Sequence, residues 1–223
     1  MDTQRSFSLP HISHPARQPE PGPSPCLLLL HGFGANEQDL LGLAPYLDPR
    51  FSIISPRAPI NLGWGSFAWY MIQPLADGSF HYDREEALNS MYLIDKFIDE
   101  IIEAYNLDPT RIFLAGFSQG AIQSCALLMT NPAKLAGIVA MSGRWPEPVD
   151  SILVSNERLS GKPVLAVHGV QDEVIDIGFG RELKKKFEAL PVDFTYQEFA
   201  MGHTISPESL QLVQTWLTEQ LDK

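Results

Sequence analysis

Ser118 stands in RIFLAGFSQGAIQSCALLM, residues 111–129, with Gly116 two positions before it and Gly120 two after, and apolar runs on both sides. A buried strand followed by a buried helix would produce that pattern, with the serine at the turn between them. A turn that sharp forces the serine into a strained backbone conformation. It leaves no space for side chains two residues away, so glycine is required at both positions. The hydroxyl is then pushed above the sheet edge, and the N-terminus of the following helix points at it. The same string also fits an ordinary glycine-rich strand-to-helix turn, so a nucleophile needs partners elsewhere in the chain.

A serine hydroxyl is a poor nucleophile near neutral pH and requires a base. In this strand–turn–helix setting the partners follow in the order Ser, acid, His. Two histidines follow Ser118. His168 closes an apolar run and reads as a packed strand-end residue, whereas His203, in FAMGHTISPE, lies in a loop from which an imidazole can reach across. Ten acids separate Ser118 from His203, and position selects among them. Asp172, in VLAVHGVQDEVI, comes three residues after a buried run, at the carboxyl edge where parallel sheets place their sites. Glu173 would point the other way, and Asp176 is the alternative. Asp172 would hold His203 in its productive tautomer. Two donors for an oxyanion complete the set: the backbone N–H of Gln119 and that of Phe33 in LLLLHGFGANEQDL, where Gly32 and Gly34 let the chain turn inward.

The elements that must position these residues alternate. Apolar runs at 26–31, 51–55, 111–115, 135–142, 163–168 and 193–199 lack period-two alternation and read as strands covered on both faces. Residues 83–105 form the clearest helix, with Asp83 as N-cap, Glu86 at N3, and a stripe of Met91, Ile94, Ile98, Ile101, Ile102 and Tyr105. Ser206-Pro207 reads as cap and first position of a last helix running through Leu217. Residues 10–25 hold six prolines and read as a peripheral segment, with a short strand at 5–9. Strand alternating with helix predicts one α/β domain over 1–223, a mostly parallel sheet flanked by helices.

The net charge of −11 argues against nucleic-acid binding, which needs clustered lysine and arginine. Lys184-Lys185-Lys186 reads as the solvated face of a helix. Cys26 and Cys125 fall in apolar stretches and read as free buried thiols; no metal-ligand spacing of Cys or His is present. The apolar run at 26–30 is far too short to span a bilayer, and no leader pattern precedes it. The expectation is a reduced, cytoplasmic, soluble protein without a metal site. A flat face near the aromatic loop leaves room for a homodimer, though nothing requires one.

LLLLHGFGANEQDL, ISPRAP, AWYMI, RIFLAGFSQGAIQS, LAGIVAMSG, VHGVQDEVI and MGHTI occur in the order found in the phospholipase/carboxylesterase family. The chain resembles that branch of the α/β-hydrolase superfamily, which includes the acyl-protein thioesterases, from about residue 26 onward. The resemblance implies Ser118, Asp172 and His203 as a triad, Phe33 and Gln119 as oxyanion donors, and cofactor-free hydrolysis of carboxylic esters or thioesters. Two features depart from it. Met71 in WYMI stands where many relatives have an acid, and Met1-Asp2 offers no lipidatable cysteine.

About twenty residues separate the strands near 140 and 165, too few for a separate cap domain, so a shallow, open site is expected. Residues 60–82 hold Trp64, Phe67, Trp69, Tyr70, Phe80 and Tyr82. Many of these rings should pack the loop to the core, while Trp69 and Leu75 are the candidates to line an acyl groove. Three functions compete: a carboxylesterase acting on small esters, a thioesterase or lysophospholipase acting on longer acyl groups, and a non-catalytic ligand-binding relative.

Overall fold

The apolar runs of the sequence become neighbouring strands. The computed structural model describes residues 6–74, 80–149 and 153–223. Its strands are β1 (His11–His14), β2 (Ser24–Leu30), β3 (Ser52–Pro56), β4 (Ile60–Gly63), β5 (Ser66–Ala68), β6 (Ile72–Pro74), β7 (Phe80–Tyr82), β8 (Leu107–Phe117), β9 (Gly137–Met141), β10 (Pro163–Gly169) and β11 (Asp193–Phe199). The helices are α1 (Arg84–Tyr105), α2 (Gln119–Thr130), α3 (Asn156–Leu159), α4 (Ile177–Glu188) and α5 (Pro207–Leu221). Seven strands form the main sheet in the order β1-β3-β2-β8-β9-β10-β11. All neighbours pair in parallel except β1, which runs antiparallel along β3.

Side chains alternate between two apolar layers. Cys26, Leu28, Leu30, Leu114, Ile138 and Ala166 face α1, α2 and α4, meeting Ile94, Ile98, Cys125 and Phe187. Leu27, Leu29, Phe113, Val139 and Val167 face the other way, onto Leu40, Phe51 and the α5 residues Val213, Trp216 and Leu217. This burial on both faces is why these strands read as unbroken apolar runs. Two edge strands depart from the expectation. β11 was expected to be covered on both faces, but Asp193, Thr195 and Gln197 are exposed, because it closes the sheet and only one face meets a helix. The N-terminal strand lies at 11–14 rather than 5–9, on the opposite edge, where flanking prolines cost no ladder hydrogen bond.

Helix ends follow the sequence signals. The Asp83 carboxylate accepts from Glu86 N at 3.0 Å, and the Ser206 hydroxyl from Ser209 N at 3.2 Å, with Pro207 opening α5. Glu86 does not reach back to its own cap. It accepts instead from Met71 N at 2.8 Å, pinning the aromatic loop to the start of α1. The link from β9 to β10 holds a 3-10 turn at Glu147–Val149 and the one-turn α3, with Trp145, Val149 and Leu159 buried in the core.

The crossing of β2, β8 and α2 is the tightest place bearing on the site. A Cβ on Gly120 would lie 1.9 Å from the Leu30 carbonyl oxygen, and one on Gly116 would lie 2.2 Å from the Gly120 oxygen. Both contacts are with backbone, which cannot rotate away. Gly120→Ala should therefore destabilise the protein by about 3 kcal/mol or more in urea unfolding. A loss below about 1 kcal/mol would show that this approach is not limiting.

Candidate active site

Ser118 is the residue between β8 and α2. Its φ of 54° and ψ of −116° are strained for a residue with a side chain, and its N–H is tied to the Met141 carbonyl at 2.9 Å. The first N–H groups of α2 have no intrahelical acceptor and project toward the hydroxyl with the positive end of the helix dipole. The Gln119 side chain is locked beneath: Oε1 accepts from Trp69 N at 3.0 Å, and Nε2 donates to Tyr70 O at 2.7 Å.

Asp172 and His203 come from separate loops and meet. His203 Nδ1 lies 2.8 Å from Asp172 Oδ2, and the other carboxylate oxygen accepts from Val174 N and Ile175 N at 2.9 and 2.8 Å. The carboxylate is fully buried. With its oxygens so engaged it can only accept, so the proton between the two residues belongs on Nδ1 and Nε2 keeps a lone pair. The two loops are laced by backbone: Val170 N donates to Phe199 O at 2.8 Å and Gln171 N to Met201 O at 3.1 Å. Gly169 permits this, since a Cβ there would lie 2.3 Å from Met201 O. The His203 ring rests against Phe117, centroids 4.8 Å apart. Asp176, the alternative acid, instead caps α4 through Gly178 N at 2.8 Å.

The loop carrying Phe33 is set by a histidine whose role the sequence reading left unassigned. His31 is fully buried, its Nε2 accepts from Ala58 N at 3.1 Å, and its Nδ1 donates to Gly32 O at 2.8 Å. The Ala58 N–H requires a lone pair on Nε2, so the ring is neutral, and burial pushes its pKa down. Trp69 Nε1 donates to His31 O at 2.9 Å. The only local signal was a histidine directly before the glycines.

A cavity of about 660 Å³ joins these pieces, lined among others by Phe33, Ser118, Gln119 and His203. Its apolar wall comes from Ile72, Ile122, Val174, Ile175 and Phe179. At its polar end, Tyr82 Oη and Arg144 Nη1 both donate to Glu147 Oε2, at 2.9 and 3.0 Å. Burial, and then Glu147, pushes the Tyr82 phenol up to about 12. Trp69 requires correction. It is fully buried and is not part of the lining, because its indole N–H and its backbone both brace the floor beneath the cleft. The aromatic segment contributes Tyr70 and Tyr82 instead. Leu75 lies outside the described residues. Val174, Ile175 and Phe179 carried no sequence signal, because the first two reach the cleft from the loop after β10 and Phe179 from the first turn of α4. Among the described residues no group of three or more His, Cys, Asp or Glu side chains could hold a metal ion.

The family model for phospholipases and carboxylesterases matches residues 14–221. This chain belongs to that family. It is 33% identical to acyl-protein thioesterase 1 of Kluyveromyces lactis over 211 residues, 87% of this chain and 91% of the relative. Among solved structures, the fold matches esterase PE8 with a TM-score of 0.81 at 26% identity, covering 95% of this chain and 98% of that one. The Bacillus cereus carboxylesterase matches with a TM-score of 0.80 at 28% identity, over 95% and 94%. The fold is that of the α/β-hydrolases.

In this family member the Phe33 loop is also held from outside. Arg57 Nε donates to Glu37 Oε2 at 2.7 Å, Arg57 Nη2 to Glu37 Oε1, and the guanidinium stacks on Phe67 at 4.7 Å. Phe67 in turn exchanges backbone hydrogen bonds with the loop, accepting from Gly34 N at 2.9 Å and donating to Ala35 O at 2.8 Å. The Arg57 hydrogen bonds hold Glu37 below the usual carboxylate range. A depressed acid stabilises the fold above its unfolded pKa and loses that contribution as pH falls through the folded value. Glu37→Gln should therefore lower Tm at pH 7, and the gap to wild type should close below about pH 4. A gap undiminished at pH 3 would contradict this role.

Proposed function

We propose that the protein is a serine hydrolase that cleaves carboxylic esters through an acyl-enzyme intermediate. The observation that carries the reading is the strained Ser118, exposed to a cleft that it shares with His203, whose Nδ1 is bound to the buried Asp172. His203 Nε2 takes the Ser118 proton as the hydroxyl attacks the ester carbonyl. Asp172 keeps the imidazole in register and stabilises its charged form. Negative charge develops on the carbonyl oxygen and is met by the N–H groups of Gln119 and Phe33, each worth about 3 kcal/mol when preorganised. The protonated His203 then releases the alcohol, and a water activated by the same ring frees the acid.

A second reading keeps the chemistry and changes the substrate to thioesters or long-chain acyl groups, as in an acyl-protein thioesterase or lysophospholipase. The apolar wall of Ile72, Ile122, Val174, Ile175 and Phe179 favours it, as does the name of the Kluyveromyces lactis relative. A non-catalytic role is disfavoured by the completeness of the residue set. The described chain contains no helix long and apolar enough to cross a membrane. A cytoplasmic setting agrees with two free, buried thiols at Cys26 and Cys125.

A fluorophosphonate probe should label Ser118, and Ser118→Ala should abolish labelling and lower turnover of short p-nitrophenyl esters by about 10⁴-fold or more. Undiminished turnover by that variant ends the proposal. An acyl series from acetate to palmitate, run as oxygen esters and as thioesters, separates the two readings: a steep preference for short oxygen esters excludes the second.

A further inference from the structure

Asp172 faces a second imidazole that the hydrolytic scheme does not use. His168, the penultimate residue of β10, is buried and directs Nε2 to the Ile175 carbonyl at 2.8 Å. A carbonyl only accepts, so the proton is on Nε2. The same nitrogen lies 3.5 Å from Asp172 Oδ2, the oxygen that binds His203. The Ile175 peptide is gripped from both sides, its N–H by Asp172 Oδ1 at 2.8 Å and its carbonyl by His168. Behind the ring, α4 approaches so closely that a Cβ on Gly180 would lie 2.6 Å from His168 Nδ1. The imidazole therefore sits between a helix backbone and the acid loop, with little freedom to turn.

We propose that His168 is a positioning residue for the Asp172–His203 pair. It holds the acid loop through Ile175 and places its ring nitrogen 3.5 Å from the carboxylate oxygen shared with His203. This inference rests on the hydrolase reading of that pair. A ring N–H close to Oδ2 compensates part of the carboxylate charge and so restrains how strongly Asp172 favours the imidazolium form of His203. Without it, His203 holds its proton to higher pH, and the base needed for attack appears later in the titration.

The other ionisable groups around the ring do not supply this effect. Glu198 of β11 is in register with His168, but both its oxygens are bound by Arg181 of α4, at 2.9 Å each. Tyr196 donates to the same Glu198 at 3.3 Å, and the Lys184 ammonium lies 5.5 Å from the centre of the Tyr196 ring. β9 and Ser142, on the other side of β10, contribute no ionisable side chain. His168 Nε2, whose N–H is bound to the Ile175 carbonyl, thus lies beside Oδ2 on the sheet side.

The test compares wild type with His168→Leu, which removes the donor, and His168→Gln, whose amide nitrogen can reach a similar position. Two readouts are taken: the pH profile of kcat/KM on a short ester, and the titration of the His203 ring followed by NMR. His168→Leu should move both midpoints upward by roughly half a unit and lower the plateau rate, and His168→Gln should restore most of the shift. Gly180→Ala, which displaces the ring from behind without deleting it, should move the midpoints the same way and decides the matter if His168→Leu does not fold. Unmoved midpoints in a folded His168→Leu, or in Gly180→Ala when that variant is the one that decides, overturn the proposal. A stability loss without a pH shift marks His168 as packing only and also overturns it. The NMR titration does not require turnover, so a wild type that hydrolyses no ester overturns the hydrolase reading separately.

Discussion

Between Gly120 and the carbonyl of Leu30 there is no room for a methyl group, and the geometry of the cleft depends on that approach. It brings the first turn of α2 over the end of β2, so that the chain leaving β8 must reverse within one residue. Ser118 takes up the reversal at a φ of 54°. The strain is held in place because β8 and α2 lie in the apolar core, with α2 buried along almost its whole length. The same contact places the open N–H groups of α2 beside the carboxyl end of β2, where the Phe33 loop begins.

The carboxyl edge of the sheet assembles the remaining groups by a different device, backbone lacing between loops. The loops after β10 and β11 exchange hydrogen bonds at residues 170, 171, 199 and 201, and this brings a carboxylate and an imidazole 31 positions apart into contact. Three buried polar side chains here are satisfied, whereas the buried Ser142 hydroxyl after β9 has no partner. Asp172 has donors on both oxygens, His31 has partners on both nitrogens, and the Gln119 amide bridges to the aromatic loop. A polar network this deep is costly if broken, so each member limits where the others can sit.

The aromatic loop has a division of labour. Trp69 serves the floor, joining His31 and Gln119, while Tyr70 and Tyr82 face the cleft beside Arg144 and Glu147. Glu86, freed from its own cap, anchors the loop at Met71. The cleft therefore has a mostly apolar wall and one polar end, an arrangement suited to an acyl group without excluding a polar substituent on it.

The sequence by itself determined the α/β order and the helix caps at Asp83 and Ser206, and it offered Ser118, Asp172 and His203 as candidates from residue type, chain order and strand-end position. These properties are local: a buried strand shows as an apolar run, a cap as a residue type at one offset, and a crowded turn as paired glycines. Edge position was not legible, because a strand with one bare face, such as β11, differs from a covered one only in which neighbours it meets. Only the tertiary structure decided that Trp69 lies under the cleft rather than in its wall, that Tyr82 meets Arg144 through Glu147, and that His168 faces the carboxylate used by His203. Each of those depends on contacts between segments distant in the chain, which side-chain type and spacing do not encode.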